Sequence, residues 1–357
     1  MAAEGGGWRS WWKPRLEWLL VFVPIAVVFE LIHANPVAIF VVSALSILPL
    51  AGLIGHATED LAARSGPQLG GLLNATFGNV TELIIAFFLI QQGELEVVKA
   101  SITGSIIGNV LVVLGLAFLV GGWSRREQRF SRASAGLHSS SLVIAVVALM
   151  MPALFSFDPQ ATNFRTEAVS IGVSIILMAV YVLSLLFSFK THRSLFRTTF
   201  EHGRAKWSLR FALGLLAAAT VFVGLMSEFL VGALEHTVEE LGLSKLFVGL
   251  IIVPLVGNAA EHSSALLLAA KDKMDVSIEI AIGSSTQIAL FVAPLLVFLS
   301  LAVGRPMNFI FTGIEIAAVA FSSLILGFIA LDGRSNWFEG AQLLGAYLIM
   351  AVSFFFL

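Results

Sequence analysis

The chain has 357 residues, of which 58% are hydrophobic and only 12% are charged. Soluble domains average about 25% charged residues, so this composition excludes a soluble protein and predicts an all-α polytopic membrane protein. The absence of cysteine excludes disulfides, thiolate metal sites and cysteine nucleophiles. The near-neutral net charge of −2 gives no sign of a nucleic-acid partner.

Eleven apolar stretches are long enough to cross a bilayer, which takes about 20 residues of helix. In chain order the predicted transmembrane helices cover residues 17–32, 36–56, 67–92, 96–121, 135–155, 166–189, 209–231, 245–270, 274–300, 308–330 and 337–357. Most of the connections between them are short. We therefore expect one helical bundle embedded in the lipid bilayer.

The placement of basic residues predicts the orientation of the bundle, because Lys and Arg concentrate in cytoplasmic segments. With the N-terminus in the cytoplasm, the outer segments hold only Lys99, Arg165, Lys245 and Arg305 of the 21 basic residues. An odd number of spans then puts the C-terminus outside. The basic loops themselves are explained by orientation rather than by ligand binding.

Two polar signatures recur at one constant offset of 179 residues. Gly-Asn-Val-Thr-Glu at 78–82 returns as Gly-Asn-Ala-Ala-Glu at 257–261, and Gly-Ser at 104–105 returns at 283–284. The third and eighth predicted helices, which carry the first signature, are an odd number of spans apart and so run in opposite directions. This pattern predicts two inverted-topology repeats, an arrangement typical of secondary transporters.

The repeat defines the predicted domain organisation. Residues 1–33 form an N-terminal tail with one extra helix, and residues 34–190 form the first five-helix repeat. Residues 191–208 are a cytoplasmic connector, and residues 209–357 form the second five-helix repeat.

Glu82 and Glu261 are predicted to lie near the bilayer midplane, one helical turn after the Gly-Asn pair of each repeat. A carboxylate there costs at least a few kcal/mol, and the span interiors contain no Lys or Arg to offset it. The two glutamates therefore share protons or bind a cation, unless both are structural groups held protonated. The surrounding amide, hydroxyl and carbonyl oxygens suit Ca²⁺, with Mn²⁺ as the alternative.

These residues resemble a known family. The segments 70–84 and 257–262 are similar to the two signature repeats of the calcium/proton exchangers, a branch of the Ca²⁺:cation antiporter superfamily. The resemblance covers nearly the whole chain. It implies that Glu82 and Glu261 bind Ca²⁺ and exchange it for protons.

The same resemblance implies a set of pocket-lining residues: Gly78, Asn79, Gly257, Asn258, His262, Ser105, Ser284 and Gln287. For Asn79 and Asn258, satisfying backbone groups freed at a helix break is the alternative to direct ligation. For His262 the alternative is a packed, neutral side chain.

Other acidic residues lie near the predicted helix ends. Glu59, Glu228 and Glu235 are candidates for the cation's route, with a solvated interfacial position as the alternative. Glu315, about a third of the way into the tenth predicted helix, has no role in this scheme.

The sequence thus predicts a secondary active antiporter that exports cytoplasmic Ca²⁺ in exchange for H⁺ by alternating access. We expect the protein not to be an enzyme and to have no resident cofactor. The sequence leaves open whether it forms a homo-oligomer. Eukaryotic members of the family that the chain resembles often carry a long N-terminal tail and an acidic stretch between the halves. The short tail and the basic connector here are therefore expected to indicate a prokaryotic plasma membrane rather than a vacuole. A Na⁺-coupled Ca²⁺ exchanger and a Ca²⁺-permeable channel are the rival functions.

Overall fold

A computed structural model describes residues 16–123, 125–159, 161–192 and 205–357, apart from the side chains of residues 67, 68 and 75. The described chain is almost entirely helical. Its helices are α1 (Leu16–Val21, a 3₁₀ turn, continuing as Phe22–Leu31), α2 (Pro36–Phe77), α3 (Val80–Gln92), α4 (Leu95–Gly122), α5 (Arg132–Phe155), α6 (Asn163–Thr191), α7 (Leu209–Gly232), α8 (Leu234–Leu241), α9 (Lys245–Gly257), α10 (Ala259–Ala270), α11 (Met274–Ala302), α12 (Gly313–Ala330) and α13 (Trp337–Phe355).

The described helices confirm the all-α membrane class. Eight of them are long and apolar enough to cross a membrane, or nine if α8 and α9, bent by 119°, count as one span. This count is below the predicted eleven because three predicted spans are short or interrupted here. The first is a 3₁₀ turn followed by an α-helix of only 10 residues, the third is broken after Phe77, and the eighth is broken after Gly257.

Helix starts follow the local sequence. Ser131, Thr162 and Ser208 accept hydrogen bonds from backbone N–H groups in the first turns of α5, α6 and α7. Thr312 and Asn336 form complete capping boxes with the glutamate three residues later. Each cap satisfies donors that a helix start leaves unpaired, which fixes where the span begins.

The second helix differs from its prediction. It was expected to end at residue 56, but it runs as a straight segment to Gly66, whose φ of 76° turns the chain. Asp60 explains the extension, because its carboxylate is buried and accepts hydrogen bonds from the N–H of Trp207 (3.1 Å) and of Lys206. Glu59 and Asp60 therefore lie inside α2 rather than at its end.

Helices α4 and α11 form the centre of the bundle. In α4 83% of the most apolar 18-residue stretch is buried inside the protein, whereas in α13 only 17% of the corresponding stretch is buried. Outward-facing apolar side chains such as Ile176 of α6, Val221 of α7 and Ile349 of α13 are largely exposed. Such faces suit lipid contact.

Connections also contact one another. Strands β1 (Gln128–Arg129) and β2 (Arg334–Ser335) form a two-residue antiparallel ladder, and the Gln128 side chain donates to Asp272 at 2.7 Å. Elsewhere Lys245 donates to Glu94 at 2.7 Å. Each of these contacts joins connections that the sequence assigns to one side of the membrane. The connector 193–204 and the basic tail 1–15 lie outside the described residues.

Candidate cation site

Two helix breaks lie at the predicted Gly-Asn pairs. Asn79 (φ −101°, ψ 17°) separates α2 from α3, and Asn258 (φ −90°, ψ 10°) separates α9 from α10. Glu82 and Glu261 stand in the first turns of α3 and α10. Helix N-termini favour negative charge, so each break provides a local environment for a buried carboxylate.

The two glutamates cross between the broken helices. A Cβ built on Gly257 would lie 3.1 Å from Cγ of Glu82, and one built on Gly78 would lie 3.6 Å from Oε1 of Glu261. Each carboxyl side chain therefore packs against the glycine of the other break. Glycine permits this close approach because it has no side chain to displace.

The carboxylate oxygens are mostly without partners. Both oxygens of Glu82 and Oε2 of Glu261 are buried and accept no hydrogen bond from the described residues. Buried acceptors of this kind are rare, because leaving them unpaired costs free energy. The pair is chemically suited to hold either protons or a cation.

A network of buried amides and hydroxyls joins the breaks to α4 and α11. Asn79 donates to Gln287 (2.7 Å) and accepts from Ser284 (3.3 Å). Asn258 donates to Ser105 (3.0 Å) and to the carbonyl of Pro254 (2.9 Å). Both asparagines thus hydrogen-bond to the central helices across each break, and Asn258 also satisfies a backbone carbonyl there.

Asn109 also belongs to this network, although it is not in the predicted pocket-lining set. Its amide donates to Asn258 (3.3 Å) and to Ser284 (3.1 Å). It lies in a π-helical segment, Gly108–Val113, and α11 has a matching segment, Ile288–Val292. At the repeat offset of 179, Gln287 corresponds to Gly108. The amide that contacts Asn258 is therefore Asn109, one residue after the position equivalent to Gln287.

A cavity of about 730 Å³ leads to the site. Glu17 and Glu59 line it together with Gly78, Gly257, Glu261, Ser284 and Gln287. The described lining residues include no Lys or Arg. Glu82 instead faces a much smaller void of about 10 Å³ that Ser105 also lines.

The remaining candidate residues are more dispersed. His262 is half-buried on α10 and is not among the described residues that line the cavity. Glu228 is exposed on α7, and Glu235 is exposed on α8, 3.9 Å from Lys245. Of the three candidate route acids, only Glu59 lines the cavity.

Glu315 is in the first turn of α12 rather than a third of the way along a helix. Its carboxylate accepts from the N–H (2.8 Å) and hydroxyl (2.7 Å) of Thr312, and Thr103 donates to its other oxygen at 3.3 Å. The later helix start explains the difference, and the contacts give Glu315 a capping role.

The interrupted helices, the buried carboxylates and the cavity define a polytopic membrane protein with a buried pair of carboxyl groups at its helix breaks. The chain belongs to the sodium/calcium exchanger protein family, whose model matches residues 35–190 and 211–356.

Curated relatives and a solved structure refine this placement. The chain is 45% identical over 341 residues to "Ca(2+)/H(+) antiporter ChaA" of Bacillus subtilis, covering 94% of this chain and 97% of the relative. It is 44% identical over 355 residues to "Ca(2+)/H(+) antiporter" of Aphanothece halophytica, covering 95% of each. The solved structure "native YfkE" superposes with a TM-score of 0.85 at 42% identity, covering 96% of this chain and all of that one. The resemblance to calcium/proton exchangers is confirmed.

Replacing Asn258 by alanine tests the amide network. We expect Asn258→Ala to lower stability by about 1–3 kcal/mol, because it removes one acceptor of the buried Asn109 amide and the donor to the buried Ser105 hydroxyl. Thermal unfolding in detergent measures the loss. Asn74→Ala, at an exposed site near the first break, is the matched control and should change stability by less than about 0.5 kcal/mol. Equal losses would contradict a stabilising network.

Proposed function

We propose that the protein is an antiporter that exports cytoplasmic Ca²⁺ in exchange for H⁺, a transporter rather than an enzyme. The observation that carries the proposal is the crossed pair of Glu82 and Glu261, whose carboxylates have buried oxygens without hydrogen-bond partners. Glu261 also lines the large cavity, whose described lining residues include no Lys or Arg. The two bacterial relatives described above are Ca(2+)/H(+) antiporters by name, which supports the same substrates.

Competition at the pair provides the coupling. A cation needs ionised carboxylates and a proton removes that charge, so the metal and the protons bind in exclusive states. Among the described residues, no three His, Cys, Asp or Glu side chains gather as a metal cluster. The other ligands would therefore be amide, hydroxyl and carbonyl oxygens, which suit Ca²⁺ and also admit Mn²⁺.

Eleven spans with two inverted five-helix repeats are part of the proposal. Three observations support them. The family model matches the chain twice, the π-helical segments of α4 and α11 recur near the same offset, and each glutamate packs on the other break's glycine. The contacts between connections also support the alternation, since they join loops assigned to the same side.

The orientation follows from the same scheme. We place the N-terminus in the cytoplasm, the C-terminus outside and the protein in a prokaryotic plasma membrane. The cavity, which reaches from Leu16 and Ser188 to Glu261, then opens to the cytoplasm. Beyond Glu82 the small void is lined by Ile85, Val253 and other apolar residues. Opening that side while closing the cavity would complete alternating access.

Transport in inside-out membrane vesicles tests the function. Vesicles with an acid interior should take up Ca²⁺ from the medium, and added Ca²⁺ should release protons from the interior. A Na⁺ gradient imposed at constant pH is the control. Ca²⁺ uptake driven by Na⁺ but not by a pH step would establish the Na⁺-coupled rival. Ca²⁺ flux without proton release would establish a channel.

A further inference from the structure

A second buried ionisable pair lies in the cavity, apart from Glu82 and Glu261, the proposed exchange pair. His138 of α5 contacts Glu279 of α11, with Nε2 and Oε1 2.9 Å apart. The two side chains are 15% and 13% exposed, and both line the cavity that reaches Glu261. Ser134 donates to the other oxygen of Glu279 at 2.5 Å. Glu279 thus has two partners, unlike the carboxylates of the exchange pair.

The surrounding hydrogen bonds are suited to a doubly protonated His138. Thr286 lies 3.2 Å from Nδ1 of His138, and its hydroxyl is within hydrogen-bond distance of the carbonyl of Ile282 at 3.0 Å. With the hydroxyl proton directed to that carbonyl, the oxygen of Thr286 accepts from Nδ1, while Glu279 accepts from Nε2. Both ring nitrogens then donate, which is the arrangement of the charged imidazolium.

The same neighbours can also hydrogen-bond His138 after it has lost one proton. If Nδ1 becomes an acceptor, the hydroxyl of Thr286 can rotate from Ile282 and donate to it. The pair therefore has two hydrogen-bonded states that differ by one unit of charge. Its net charge is zero when His138 holds both protons and −1 when it holds one.

The neighbouring helices add few other charges. Helix α5 packs against α6, α11 and α12 and the segment Ile288–Val292. Their titratable residues other than Glu279 are Asp275, Arg165, Glu167, Tyr181, Lys190 and Glu315. Tyr181 lines the same cavity, Asp275 accepts from the N–H of Ser131, and Glu315 is the cap of α12. Across the cavity lie Glu17, His56, Glu59 and Glu261.

We propose that the His138–Glu279 pair is a proton-dependent cation-attracting group of the cavity, separate from the exchange pair. In the −1 state it strengthens the attraction of the cavity for Ca²⁺, and in the neutral state it does not. A cytoplasmic proton bound at His138 thereby weakens Ca²⁺ entry before any competition at Glu82 and Glu261. The inference rests on the proposed function, because it assigns a role in loading that antiporter.

Two substitutions have opposite pH signatures if the proposal holds. In His138→Gln no imidazolium neutralises Glu279, whose carboxylate still accepts from Ser134, so the charge of −1 remains at both pH 6 and pH 8.5. KM for Ca²⁺ should then fall about three- to tenfold below the parent at pH 6 and match it at pH 8.5. In Glu279→Gln the negative charge is absent and the largely buried His138, without its counter-charge, stays neutral, so KM should match the parent at pH 6 and rise by a similar factor at pH 8.5. Glu279→Asp keeps the charge and should restore the parent KM at pH 8.5.

The measurement is initial Ca²⁺ uptake by acid-loaded inside-out vesicles, with the medium pH varied and the interior pH fixed. Glu127→Gln is the matched control, because Glu127 is an exposed acid paired with Arg334 at 3.0 Å outside the cavity. It should leave KM unchanged at both pH values. No pH-driven uptake by the parent would refute the proposed function itself. With an active parent, equal KM shifts at both pH values, or a loss of kcat alone, would overturn this inference.

Discussion

Glu82→Gln and Glu261→Gln should each lower pH-driven Ca²⁺ exchange by at least about 100-fold, which corresponds to about 2.7 kcal/mol. Glutamine keeps the size of the side chain but can neither take up and release a proton nor supply a charged oxygen to a cation. Each carboxyl also packs against the opposite glycine, so neither can compensate for the other. The measurement is Ca²⁺ uptake and Ca²⁺-induced proton release in the same vesicles.

Glu59→Gln is the matched control for this pair. Glu59 lines the same cavity but lies on α2, outside the two helix breaks. Its substitution should raise KM for Ca²⁺ by no more than about threefold through lost attraction and leave kcat unchanged. Coupled exchange retained in either Glu82→Gln or Glu261→Gln would exclude the assigned role of that glutamate.

The helix breaks at the two Gly-Asn pairs have a local cause in the sequence. Glycine followed by asparagine in the middle of an apolar span weakens a helix wherever it occurs. Its recurrence at one offset also indicated that Glu82 and Glu261 belong together. The structure places both asparagines outside helical geometry and crosses the two glutamates at these positions.

The end of α2 could not be predicted in this way. Hydropathy alone predicts that the helix ends just before Glu59 and Asp60, because charged residues disfavour a transmembrane span. The helix continues because Asp60 is bound by backbone N–H groups of residues 206 and 207. That contact joins segments nearly 150 residues apart, so the local sequence contains no sign of it.

The amide network and the second ionisable pair depend on tertiary geometry. Asn109 is one residue out of register with Gln287 in the repeat, and only the paired π-helical segments reveal their related positions. His138 and Glu279 are 141 residues apart in the chain and meet where α5 packs on α11. Neither residue belongs to the repeated signature, so a search for repeats passes over them.

Gly104→Ala should destabilise the bundle strongly, by more than about 2 kcal/mol, because the added methyl group meets backbone rather than a flexible side chain. A Cβ at this position would lie 2.7 Å from the carbonyl carbon of Leu250 and nearer still to its oxygen. Helices α4 and α9 are pressed together here, and Gly249 approaches Ala100 on the same face. Thermal unfolding in detergent and the yield of folded protein measure the effect.

Gly283→Ala is the matched control, since Gly283 holds the same place in the repeated Gly-Ser signature. A Cβ there meets no atom within 4 Å, so the stability should change by less than about 1 kcal/mol. Equal destabilisation would mean that the glycine is needed for close packing in both halves, in conflict with the open space at Gly283. A loss confined to Gly104→Ala would mean that the two halves use one motif differently: close packing of α4 on α9 in the first, and open space beside the cavity in the second.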